Sequence, residues 1–134
     1  AEDEALLPVI DRQTGVQFER WISDTARNKG PWTSSMTPTT GDGGADVILS
    51  HTERLSEHII IQAKHTNNPD QNLPKSAVEE VIKSKSYYSK LENVHLLVIT
   101  NYANFSQPAK DLAAENSVKL ISRDNLCLWP NHIV

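Results

Sequence analysis

The run Val94-His95-Leu96-Leu97-Val98-Ile99-Thr100 is apolar at nearly every position, so a strand built from it has no face to give to water. Such a strand belongs inside a sheet that is covered on both sides, the arrangement of α/β domains with crossover helices. Residues 45–50 and 58–65 are also dense in Val, Ile and Leu, and the polar stretch 51–57 between them reads as a hairpin connection. Residues 32–37 and Val118–Ile121 supply two further short strands.

Helical spacing fills the gaps between these runs. Phe18, Trp21, Ile22 and Thr25 recur at three- and four-residue intervals, and Lys29-Gly30-Pro31 ends that helix with a basic last turn, a glycine and a proline. Residues 76–90 put Val78, Val81, Ile82, Lys85 and Tyr88 on one stripe, with Ser76 as the expected N-cap. Ser106 can cap a helix running to about Asn116, with Pro108 tolerated in its first turn, and 123–128 reads as one more turn. Thr39-Thr40-Gly41-Asp42-Gly43-Gly44 is turn material. The order predicts an α/β fold with a central mixed β-sheet of about five strands and helices on both faces. Residues 1–14 read as a loose acidic leader, and 15–134 as a single domain without repeats or linkers.

Composition narrows the function classes. Thirteen Lys+Arg against seventeen Asp+Glu give a net charge of −4, so DNA binding by bulk positive charge is excluded and any such contact must use a local cluster. The apolar runs are far shorter than the roughly 20 residues of a membrane span. The acidic start, Ala1-Glu2-Asp3-Glu4, is no secretory signal. A single cysteine, Cys127, forms no internal disulfide or multi-cysteine zinc site and suggests a reducing, cytoplasmic location. The chain does not begin with Met, which suggests a piece of a longer protein. The histidines are dispersed without metal-binding spacing.

The chemistry concentrates in Ile59-Ile60-Ile61-Gln62-Ala63-Lys64-His65. The strand period of two sends Ile60, Gln62 and Lys64 to one face, and Ile59, Ile61, Ala63 and His65 to the other. A central strand rarely carries Gln and Lys on its buried face, although a strand end with a snorkelling lysine gives the same pattern. Asp46 stands sixteen positions before Gln62, one hairpin away. Antiparallel pairing of 45–50 with 58–65 would gather a carboxylate, an amide oxygen and an ammonium group, a set suited to a hard divalent metal and a phosphate.

With Asp46 followed by Gln62-Ala63-Lys64, the sequence resembles the restriction-endonuclease-like nuclease superfamily and its D…(D/E/Q)xK signature, in the Mrr-type branch of type IV restriction enzymes, where Gln often replaces Glu. The resemblance extends through Gly15-Val16-Gln17-Phe18-Glu19, Gly41-Asp42-Gly43-Gly44-Ala45-Asp46-Val47-Ile48-Leu49, Ala77-Val78-Glu79-Glu80-Val81, Leu97-Val98-Ile99-Thr100-Asn101, Phe105 with Ala109 and Ala113, and Leu120-Ile121-Ser122-Arg123, about residues 14–126.

This resemblance implies a restriction-endonuclease-like fold and a Mg²⁺-dependent DNA endonuclease, with Mn²⁺ as a substitute, acting on double-stranded DNA in restriction of foreign or modified DNA. It implies Asp46 and Gln62 as metal ligands and Lys64 beside the attacking water. Glu19, on the border of the first helix's buried stripe, is a fourth candidate that could supply the charge an Asp/Gln pair lacks. Asp42 either touches metal or holds the glycine turn, and Glu80 could reach the site from the second long helix, although its position reads as a solvated helix residue. Lys75, Lys83, Lys85 and Lys90, with the loop 65–71, could line a DNA groove. The chain carries no base-reading module, so recognition is expected from other domains of the parent protein. A double-strand break needs two active sites and hence a homodimer on DNA. Two other readings stay open: a structure-specific nuclease such as a junction resolvase, and a non-catalytic DNA-binding module on the same fold.

Overall fold

The structure, a computed structural model, describes residues 2–36, 47–54, 56–88 and 90–129. The order is α1 (Glu2–Asp11), α2 (Gly15–Lys29), β1 (Trp32–Met36), β2 (Val47–His51), β3 (His58–Lys64), β4 (Asn72–Leu73), α3 (Ser76–Tyr87), β5 (Val94–Thr100), β6 (Asn104–Phe105), α4 (Gln107–Glu115), β7 (Val118–Ile121) and α5 (Arg123–Leu126).

Five strands form one sheet in the order β1-β2-β3-β5-β7. The β1-β2-β3 part is an antiparallel meander, whereas β3, β5 and β7 run parallel and are joined by the crossover helices α3 and α4. The expected mixed sheet of α/β class is thus observed. β4 and β6 pair separately as a two-stranded parallel ribbon. Strands of two residues are too short to show a hydrophobic period, so nothing in the sequence announces them.

The period of two divides the core into two layers. Ile59, Ile61 and Ala63 of β3, with Leu97 and Ile99 of β5, pack under Phe18, Ile22 and Ala26 of α2. Ile60, Leu96 and Val98 pack on the other side, under Ala77, Val78 and Val81 of α3 and Ala109 and Ala113 of α4. β3 and β5 are therefore covered on both faces, which is why their sequences lack clean alternation.

Local chemistry sets the helix ends. Thr14 and Gln17 form a reciprocal capping box, with bonds of 3.1 Å and 2.9 Å that satisfy two N–H groups at the start of α2. Ser106 caps α4 by accepting from the Ala109 N–H. Ser76, expected as an N-cap, is instead the first helical residue of α3; Lys75 occupies the cap position, with no side-chain hydrogen bond.

The loose leader expected up to Thr14 is also corrected. Residues 2–11 form α1, although Pro8 lies inside it, and Ile10 is fully buried against the α2 layer. Docking of the last turn, rather than intrinsic propensity, fixes this helix.

Candidate active site

Gln62 and Lys64 sit at the exit of β3, where its register with β5 ends at Lys64 opposite Thr100. By alternation they share the face of Ile60, toward α3. Gln62 is 4% exposed and Thr100 is fully buried, so the polar groups here lie in the sheet's interior end rather than on an open rim. The Lys64 side chain keeps 33% of its surface exposed. Its Nζ lies 2.7 Å from Oε2 of Glu80, on α3. The solvated reading of Glu80 is thereby corrected: α3 buries Ala77, Val78 and Val81 on the sheet, and Glu80, on the flank of that stripe, reaches Lys64 at the β3 exit.

Asp46 and Asp42 lie outside the described residues. The described register of β2 on β3 runs from Ser50 opposite His58 to Val47 opposite Ile61. Glu19 follows the buried Phe18 on α2 and is half-buried, and α2 lies against the opposite face of the sheet from Gln62 and Lys64. Among the described residues, no group of three or more His, Cys, Asp or Glu side chains is placed to hold a metal ion.

A polar latch fixes the strand end that carries Lys64. Asn101 is fully buried just beyond β5; its Nδ2 donates to the Thr66 carbonyl at 2.7 Å and to Asp11 Oδ1 at 3.0 Å, and its Oδ1 accepts from the Thr66 N–H at 2.9 Å. Arg123 donates to both oxygens of Asp11, at 2.6 Å and 2.8 Å. Asn67 Nδ2 donates to the Asp11 carbonyl at 2.8 Å, and His65 Nε2 lies 2.7 Å from the Ile10 carbonyl with its ring tilted on Phe18. Four chain segments (the end of α1, the exits of β3 and β5, and the start of α5) thus converge. Burial pushes the Asp11 carboxyl upward, but the hydrogen bonds from Arg123 and Asn101, with the guanidinium charge, outweigh it and hold the group below its ordinary 3.8. The same pair raises Arg123, chiefly through its hydrogen bond to Asp11. None of this network was evident from the motif, although Asn101 and Arg123 stand inside the quoted blocks.

The lysine row is split by the path of α3. Lys75, Lys83, Lys85 and Lys90 are all exposed, but Lys85 lines a cleft with Leu91, Asn93 and Val94 at the start of β5. That is the opposite end of a seven-residue strand from Thr100, about 20 Å from the Lys64 level at the usual rise per residue. A helix antiparallel to its strand cannot present all its lysines at one strand exit. The loop beyond Lys64 is held by its own ribbon, with the Ala103 N–H bonded to the Pro69 carbonyl at 2.7 Å and β4 paired to β6.

The Mrr catalytic-domain model, described as restriction endonuclease, matches residues 10–129. The chain belongs to the Mrr family of restriction endonuclease domains. Its solved-structure neighbours agree with this fold. The DNA modification-dependent restriction endonuclease AspBHI superposes with a TM-score of 0.67 at 18% identity, over 99% of this chain and 36% of that one. A repair endonuclease from Pyrococcus abyssi gives 0.61 at 12% identity, over 83% and 47%. A protein of unknown function, AF1548, gives 0.62 at 17% identity, over 78% and 55%. The Mrr domain therefore spans between about a third and just over half of these longer chains. No curated protein sequence matches it significantly. Among its described residues, no helix is long and apolar enough to cross a membrane.

Proposed function

We propose that this Mrr-family domain is the catalytic unit of a Mg²⁺-dependent DNA endonuclease that cleaves foreign or modified double-stranded DNA in the cytoplasm. The observation that carries the reading is the placement of Gln62 and Lys64 on one face at the exit of the central strand, with the β2 register ending one position short of Gln62. Asp46 immediately precedes Val47 in sequence, and on this reading it joins Gln62 as metal ligand.

The donor chemistry fits the group: a carboxylate and a buried amide oxygen are hard ligands of the kind Mg²⁺ and Mn²⁺ accept. Bound there, the metal would supply Lewis-acid activation of the phosphodiester and of water. Lys64 would hold positive charge against the phosphate; Glu19, whose helix packs on the opposite face of the sheet, is left out of the ligand set. Recognition belongs to other domains of the parent protein, in keeping with the fraction of the neighbouring chains that this one spans. One active site cuts one strand, so a double-strand break requires two copies; sedimentation that stays monomeric with duplex present argues against this homodimer.

The metal assignment is tested by calorimetric titration of Mg²⁺. Wild type is expected to bind one equivalent, Asp46→Ala to lose it, and Gln62→Glu to keep or raise the affinity because it restores a full carboxylate. A large loss of affinity in Gln62→Glu would contradict the proposed ligand geometry.

A further inference from the structure

We infer that Glu80 is the positioning residue of the site: its carboxylate holds the Lys64 ammonium in place for the reaction. This rests on the nuclease reading above and adds to it a residue on a different element.

The first observation is the contact, at 2.7 Å, between groups whose side chains are 33% and 40% exposed. A pair this open contributes little to stability, so its consequence is to be sought in where it keeps the ammonium. Lysine carries large rotamer entropy in a flexible four-carbon stem, and nothing in the backbone of a strand's last residue fixes the far end of that stem.

The second observation is how firmly Glu80 itself is held. Ala77, Val78 and Val81 are fully buried on either side of it in the helix, and the fully buried Ser84 donates from its Oγ to the Glu80 carbonyl at 3.0 Å. The carboxylate therefore reaches the β3 exit from a fixed backbone. β3 is equally fixed by its pairing with β5 and by the Asn101 bonds to Thr66 just beyond Lys64.

The chemistry follows from the donor count. An ammonium has three N–H donors, and one directed at Glu80 leaves two for a phosphate oxygen and a water. The Glu80 charge also offsets the lysine's attraction for ground-state phosphate, so the pair adds little to DNA affinity. Its effect belongs to the chemical step, where the orientation of the ammonium decides how well developing charge is met.

The test combines three readouts on the intact chain. In steady-state plasmid nicking, Glu80→Ala is expected to lower kcat by about 10- to 50-fold with KM unchanged or reduced, and Glu80→Gln, which keeps an acceptor oxygen at the same reach, to recover part of the loss. In a Lys64→Met background, Glu80→Ala should cause no further loss, because it acts through that lysine. In ¹⁵N spectra of lysine ammonium groups at low temperature, the Lys64 signal, assigned by its absence from Lys64→Met, should be seen in wild type and lost in Glu80→Ala whether or not DNA is present.

A kcat within twofold of wild type for Glu80→Ala would overturn the inference while leaving the nuclease reading intact, as would an unchanged Lys64 signal. Weaker Mg²⁺ binding in Glu80→Ala would make Glu80 a metal ligand and overturn the positioning role. Absence of any metal-dependent cleavage by wild type, also when it is fused to a DNA-binding module, would remove the nuclease reading, and this inference with it.

Discussion

Lys64→Ala is expected to lower metal-dependent DNA nicking by about 100- to 1,000-fold, the usual range for loss of one preorganised group facing developing charge. The fold should tolerate the change. The side chain is one-third exposed, and its Glu80 contact is an open ion pair worth roughly 0–1 kcal/mol, so the melting temperature is expected to move by only a few degrees. DNA affinity should also change little, because one ammonium paired with a carboxylate adds little to phosphate binding. The measurement is kcat and KM on supercoiled plasmid beside a thermal melt. A Lys64→Ala protein that melts normally and nicks within threefold of wild type would remove Lys64 from the chemistry.

Asn101→Ala is expected to give the largest stability loss of any single polar substitution in the latch, about 3 kcal/mol. The side chain is fully buried and makes three hydrogen bonds, two to the backbone of Thr66 and one to Asp11. Truncation leaves the part-buried N–H and carbonyl of Thr66 without their side-chain partner, at the low end of about 1–3 kcal/mol each. For a chain of this length that corresponds to a melting point lower by about 10 °C. The latch also carries a pH signature. The folded Asp11 carboxyl is held below 3.8, so its stabilisation is fully present above that value and is lost as the pH falls through the lower folded value. In denaturant titrations, Asp11→Asn should therefore narrow its stability gap from wild type as the pH drops below about 4. An Asn101→Ala melt within 2 °C of wild type, or an Asp11→Asn gap constant with pH, would show that the latch is not what holds the strand exit.

The residues that were legible in the sequence are those whose signal is local. The apolar run of β5 announces a strand covered on both faces, and the alternation of Ile60, Gln62 and Lys64 fixes their common side because a strand's period is two. Phe18 and Ile22 mark the buried stripe of α2 in the same way, at helical spacing. What stayed hidden depends on partners distant in sequence. α1 has an internal proline, which argues against a helix, and no long apolar stripe to announce its docking; its last turn is held by Asn101 and Arg123, 90 and 112 positions away from Asp11. Glu80 looks like any polar helix residue until α3 is laid on the sheet and brings it to Lys64. The separation of the lysines was hidden for a related reason: residues close in sequence are spread along a helix antiparallel to β3, so Lys85 lies at the start of β5 and not at the β3 exit.

The most direct test of the nuclease assignment is cleavage of supercoiled plasmid, methylated and unmethylated, by wild type and Asp46→Ala with Mg²⁺, Mn²⁺ or EDTA. Metal-dependent conversion to nicked or linear product, abolished by EDTA and by Asp46→Ala, is the expected result. Cleavage that persists in Asp46→Ala, or DNA binding without cleavage under every divalent ion even when the domain is fused to a DNA-binding module, would contradict it.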